Sequence, residues 1–366
     1  MASKTIPIVD SHIHLFPADE LDNLAWCKPG NPLAKQHSLE EYRAAAHAGA
    51  GPDSPPLRGF VFLETDRKNG GDGTDWSGPL MEIDWLRRIA EGRPRPGQGH
   101  AAADAALCLG VVPWAPVHLG PARLAEYLAE AERAAGPAAW RLVKGFRYLL
   151  QDKPDGSMLR DELIEGLRLL GRKGFVFDLG IDQHRRGRIQ LEEAVEMIDR
   201  AHEGVLEGEK CVFVLTRPPH TLDHMCKPDV TIINTADPAF IAWRSAVFTL
   251  GKCDHVYMKL SGLFCEMSDA MRARPADEIF MAIQPWLAVV LAAFGPHRIM
   301  FGSDWPVCTL DMPRGDGDGD GDGAASPWVK WRDVVRRMCD LASLSEEDQA
   351  MIWGGTAARA YGLEID

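Results

Sequence analysis

A (β/α)8 barrel with loop insertions is the fold that this sequence predicts. Three observations predict it: the number of apolar runs, their unbroken apolar character and the amphipathic segments between them. Eight runs rich in β-branched residues stand in order, "IPIVD", "GFVFLET", "LCLGVVPW", "LVKGFRYL", "GFVFDLGI", "CVFVLT", "VYMKLSG" and "RIMFGSD". A strand with one wet face alternates apolar and polar residues. These runs are apolar at consecutive positions, which suits strands buried on both faces of a parallel sheet. Parallel neighbours need long crossovers, and "PARLAEYLAEAERAA" and "LEEAVEMIDRAHEGVL" supply them, with apolar residues three and four apart. Eight such units fill 366 residues as one domain, 1–366.

Insertions decorate this plan. Residues 17 to 57 and 67 to 79 are rich in Gly, Pro, Asp and Asn and are expected to be long loops rather than extra core. "RGDGDGDGDGAASP", residues 314–327, follows the eighth strand and is expected to be a flexible Gly-Asp loop. Asp316, Asp318 and Asp320 are spaced like the first ligands of a calcium-binding EF-hand loop. Its twelfth position is Pro327 instead of a bidentate Glu, and no helix pair flanks it, so the segment reads as a linker.

Composition narrows the function classes. The chain is 46% hydrophobic and 25% charged, an ordinary globular balance. Its 53 acidic residues outweigh 40 basic ones, for a formal charge of -13, which argues against nucleic acid or an anionic membrane as a partner. A small or uncharged substrate fits better. No run of about 18 apolar residues is expected to span a bilayer, and "MASKTIPIVDSHIH" lacks the apolar centre of a secretory signal, so a soluble, cytoplasmic protein is expected. The eight cysteines are scattered without a CxxC pair and are expected to be reduced and mostly buried. Oligomeric state is not legible.

"VDSHIHLF" places His12 and His14 two residues apart at the end of the first strand. Residues i and i+2 of a strand point the same way, so both imidazoles can converge on one metal ion. Asp10 just before them has the place of a supporting residue. "RIMFGSDWP" puts Asp304 at the C-terminal end of the eighth strand, where a barrel carries its active site. A carboxylate there can ligate a metal and accept a proton from a nucleophilic water, or simply cap a turn. Closure of the eighth strand on the first brings Asp304 to the two histidines, which favours function.

The motifs "VDSHIHL", "KGFRYLLQDKPDG", "FDLGI", "DHMCKPD", "VYMKLSGL" and "RIMFGSDWPV", in that order, span nearly the whole chain. Together they resemble the amidohydrolase-2 family, and within it the sugar-lactone hydrolases of the L-fucono-lactonase and L-rhamnono-lactonase type. The resemblance implies the barrel, hydrolysis of a small lactone, and a site centred on His12, His14 and Asp304. It also implies His224, in "DHMCKP", as the histidine of strand six. His184, where strand five ends, is offered as a further metal ligand, the plain alternative being a solvated loop histidine. The chain departs from the family at strand six, where "TRPPHTL" intervenes between "CVFVL" and "DHMCKP". His220 therefore competes with His224, which is preferred for its Asp-His-x-x-Lys-Pro setting.

Arg147 in "KGFRY" and Lys259 in "MKLSG" are costly inside a barrel unless they are paired or face a ligand. A hydroxylated lactone or its carboxylate product would partner both, as would a neighbouring carboxylate. Trp305, beside Asp304, is expected at the substrate, and the other tryptophans in the core. No Gly-x-Ser-x-Gly elbow, dinucleotide fingerprint or Walker loop is present.

The expected chemistry is opening of a cyclic ester. His12, His14 and His184 hold a divalent ion, zinc in the first place, and Asp304 serves as base and ligand. His224, Arg147 and Lys259 steady the oxyanion or the ring hydroxyls. Lactones are activated acyl compounds, so metal-independent catalysis stays open. A metal-dependent decarboxylase of an aromatic or unsaturated acid on the same barrel is the alternative, and a non-catalytic binding barrel is the third reading.

Overall fold

The computed structural model describes residues 6–48, 54–70, 74–183, 187–216, 228–232, 234–310 and 326–365. All eight expected strands form: β1 Ile8–Ile13, β2 Leu57–Leu63, β3 Cys108–Val112, β4 Gly145–Arg147, β5 Val176–Gly180, β6 Phe213–Thr216, β7 Val256–Leu260 and β8 Ile299–Phe301. Every residue of β1, β3, β4, β5 and β8 is buried, as their unbroken apolar runs require.

The strands lie side by side in chain order and all pair in parallel, β1 to β3 in one ladder and β4 to β8 in another. Short parallel bridges join the two ladders. Val111 pairs with Val143 and Trp114 with Arg147 between β3 and β4, while Ile13 pairs with Trp305 where β8 meets β1. This is the (β/α)8 architecture. Helices such as Gly120–Trp140, Asp161–Arg172 and Arg188–His202 form the crossovers, each turning an apolar stripe inward.

Two layers of core follow from strand alternation. Phe60, Phe62, Phe177, Leu179, Phe213, Leu215, Met258 and Leu260 pack outward under the helices. Val9, Val61, Val176, Val214 and Met300 point into the barrel, where Ala357, Ala360, Tyr361 and Leu363 of the C-terminal segment join them.

Two expectations need correction. Residues 17 to 57 are more than loop: Leu39–His47 is a helix with Leu39 and Tyr42 fully buried. Its start was encoded as Ser38-x-x-Glu41, and the Ser38 N–H donates to Glu41 Oε2 at 2.9 Å. The second concerns apolar length. The 19-residue helix Ala276–Phe294 is long and apolar enough to cross a membrane, but Ile279, Ile283, Trp286 and Val290 bury one side of it in the core. The expected Gly-Asp loop lies almost wholly outside the described residues. Cys108, Cys211, Cys308 and Cys339 are buried free thiols, as expected.

Candidate active site

The join between β8 and β1 builds the site. The Asp304 N–H donates to the His12 carbonyl at 2.8 Å, and the His14 N–H donates to the Trp305 carbonyl at 2.7 Å. These two bonds interleave the ends of the first and last strands. They carry His12, His14 and Asp304 to one point at the C-terminal rim.

Asp304 takes a left-handed backbone conformation, φ 60°, which aspartate tolerates better than most residues. Gly302 allows the close approach behind it: a Cβ there would stand 2.9 Å from His12 Cβ and 3.1 Å from Ser261 Cβ.

His12 Nε2 and His14 Nε2 are 3.1 Å apart, and Asp304 Oδ1 lies 3.3 Å from the first and 3.4 Å from the second. All three side chains are fully buried. Ligands about 2.0 to 2.1 Å from a tetrahedral zinc are separated by about 3.3 Å, so this triangle has the dimensions of one face of such a site. The donor set therefore fits a divalent metal, and it is the one such cluster among the described residues.

The protonation states agree. His14 Nδ1 faces the carbonyl oxygens of Leu63 at 3.1 Å and Glu64 at 3.0 Å. Only an Nδ1–H satisfies them, which leaves the Nε2 lone pair toward Asp304 and a metal. Burial lowers the pKa of both histidines, and the positive charge of Lys259 presses His12 further in the same direction. Both imidazoles are thus neutral at pH 7, as ligands must be.

Asp10 supports this arrangement from behind. Its Oδ1 accepts from the Ser303 N–H at 2.8 Å, and its Oδ2 accepts from Tyr42 Oη at 3.0 Å and Trp328 Nε1 at 2.8 Å. Burial raises its pKa and these donors oppose the rise.

Both predicted cations are buried at the rim. Arg147 Nε is 3.8 Å from Glu64 Oε1, and Lys259 Nζ donates to Asp178 Oδ1 at 3.0 Å. The neighbouring-carboxylate alternative is thereby met for each. Burial lowers the Lys259 pKa to about 8. It also raises Glu64 to about 8 against the pull of Arg147, and Asp66 to about 6. Trp305 is buried, its ring packed against Tyr42 and His37. His184, His220 and His224 lie outside the described residues.

Glu64, Asp178 and Tyr361 were not singled out from the sequence. Asp178 carried a usable signal: an acid inside the apolar run "FVFDLG" demands a buried partner. Glu64 showed less, since an acid just beyond a strand end is ordinary.

Known proteins share this plan. The amidohydrolase family model matches residues 215–363. An L-rhamnono-gamma-lactonase of Scheffersomyces stipitis is 29% identical over 367 residues, 97% of this chain and 98% of that one. An L-fucono-1,5-lactonase of Burkholderia multivorans is 32% identical over 297 residues, 78% of this chain and 84% of that one. Among solved structures, an amidohydrolase from Burkholderia multivorans with bound zinc superposes with a TM-score of 0.68 at 27% identity, covering 98% of this chain and 100% of that one. Similarity of that extent at both levels establishes descent, and the chain belongs to the amidohydrolase family.

Proposed function

We propose that this protein is a lactonase, a hydrolase that opens a sugar-derived lactone of the L-rhamnono- or L-fucono-lactone kind to its hydroxy acid. The observation that carries the reading is the buried His12, His14 and Asp304 cluster in a chain similar along most of its length to two sugar lactonases. One catalytic domain, residues 1–366, is assigned to the task.

Asp304 is the general base. Its Oδ1 faces the histidines, so Oδ2 is the oxygen assigned to take the proton of the attacking water and return it to the leaving ring alkoxide. His12, His14 and Asp304 would hold a divalent ion, for which zinc is our choice, with His184 as a further donor. When bound, that ion supplies Lewis-acid polarisation of the ester carbonyl. Arg147 and Lys259 stabilise negative charge on the carbonyl oxygen or orient ring hydroxyls, His224 assists them, and Trp305 is assigned to the substrate side.

The test is metal content measured beside turnover of an aldonolactone panel, before and after chelation. Stoichiometric zinc, with activity lost on chelation and restored by zinc, supports the full reading. Undiminished activity in the chelated enzyme keeps the lactonase and assigns catalysis to Asp304 and the cations alone. Absence of lactone opening together with carbon dioxide release from an aromatic acid overturns the reading.

A further inference from the structure

A second set of buried polar groups lies inside the barrel. Lys259 follows Tyr257 by two positions on β7, and Asp178 follows Val176 by two on β5, so both side chains fall on the interior side. Lys259 Nζ donates to Asp178 Oδ1 at 3.0 Å. The other carboxylate oxygen, Oδ2, accepts the Tyr361 hydroxyl. The Tyr361 ring also lies under the ammonium, 5.4 Å from Nζ to the ring centroid, within cation–π range. All three residues are buried.

Tyr361 ends the helix Thr356–Tyr361, which packs on Val9, Leu109 and Val176 near the N-terminal ends of their strands. That end of the barrel is opposite to Asp304. The contacts therefore run from the closed end, through Asp178, to a cation within electrostatic reach of His12.

A lysine stem has four rotatable bonds and its ammonium three donors, so a lone anchor leaves it free to swing. Here a carboxylate and a ring fix it from one side. We propose that Asp178 and Tyr361 are positioning residues, which hold the Lys259 ammonium toward the reacting lactone although neither touches substrate. The proposal rests on the reading of Lys259 as a substrate contact. Without the tyrosine hydroxyl, Asp178 Oδ2 is left unpartnered in the interior and competes for the remaining ammonium donors, drawing the charge away from the rim.

The experiment is a double-mutant cycle on the holoenzyme with the best lactone of the panel. Tyr361→Phe keeps the ring, its packing and its cation–π contact, and removes only the hydroxyl. Its kcat should fall about 10-fold with KM little changed, Lys259→Met should lose about 100-fold, and the double variant should lose no more than Lys259→Met alone. Asp178→Asn, paired with Lys259→Met in the same way, serves as a second cycle should Tyr361→Phe fold poorly. Losses that multiply in the double variant, or a Tyr361→Phe enzyme with unchanged kcat, overturn the proposal while leaving Lys259 in its role. Full activity of Lys259→Met removes Lys259 from the substrate, and the proposal falls with it.

Discussion

Asp10 Oδ1 accepts the Ser303 backbone N–H at 2.8 Å and so ties the first strand of the barrel to the turn that carries Asp304. The same carboxylate holds Tyr42 and Trp328, two aromatic groups from helices far apart in the chain. Replacing it with alanine strands these three buried donors at once, together with the His12 N–H, which donates to Oδ1 at 3.3 Å. Asp10→Ala should cost about 3 to 5 kcal/mol of stability, read by chemical denaturation. Asp10→Asn, which turns an NH2 group toward some of those donors, should fall between alanine and the unaltered protein. A loss under about 1 kcal/mol for alanine would show that water replaces the carboxylate.

Asp304 is assigned two tasks, and one substitution separates them. Asp304→Asn keeps the shape and an oxygen for the metal but offers no base. Its kcat should drop by about 10² to 10⁴ with KM little changed, while zinc content falls only partly. His14→Gln should do the reverse, weakening zinc binding more than Asp304→Asn does and recovering activity as zinc is added. Equal losses of metal and turnover in both variants would mean that Asp304 acts as a ligand alone.

Much of this was legible in the sequence because each signal was local. A strand buried on both faces has to be apolar at consecutive positions, so all eight runs announced themselves. His12 and His14 share a side by strand periodicity, and Asp304 follows from the barrel's closure. What stayed hidden depends on contacts between distant segments. Nothing near Tyr361 says that its hydroxyl meets Asp178, 183 positions away in the chain. The helix Leu39–His47 was obscured by the Gly- and Pro-rich stretches around it, although Ser38 and Glu41 marked its start. Arg147 and Lys259 were recognised as costly buried cations, but the carboxylates that partner them, Glu64 just beyond β2 and Asp178 on β5, come from distant segments of the chain.

His37 makes the fold acid-sensitive next to the site. It packs edge-on against Phe16 and Trp305, and burial, helped by Lys35, lowers its pKa to about 3. Above about pH 6.5 the imidazole is neutral in both folded and unfolded chains, so its contribution is constant. As pH falls from 6.5 toward 3, the unfolded chain takes up a proton that the folded one refuses, and stability drops. His37→Gln removes this proton uptake. Between pH 7 and pH 5 the variant should lose about 1 to 2 kcal/mol less stability than the unaltered protein, measured as paired denaturation curves. Parallel pH profiles would show that His37 becomes protonated in place.

Gly302 tests whether the geometry of the histidines is set by the backbone behind them. Its N–H donates to the Leu260 carbonyl at 3.0 Å, which fixes the chain in the β7–β8 ladder. An added methyl would meet His12 Cβ at 2.9 Å, Ser261 Cβ at 3.1 Å and Ser11 Oγ at 3.3 Å. None of these is the loose end of a long side chain, so relief has to come from β1 moving outward. Such movement displaces His12 Nε2 from Asp304 Oδ1 and lengthens the backbone bond that holds Asp304 to the His12 carbonyl. A shift of about 1 Å in a reacting constellation can cost about 10²-fold. Gly302→Ala should accordingly reduce kcat/KM by about 10- to 100-fold and weaken zinc in parallel, with a smaller change in stability. Gly302→Ser, bulkier at the same point, should be worse. Unchanged turnover in the alanine variant would mean that β1 yields without carrying its histidine, and that His12 is placed by its own side-chain contacts.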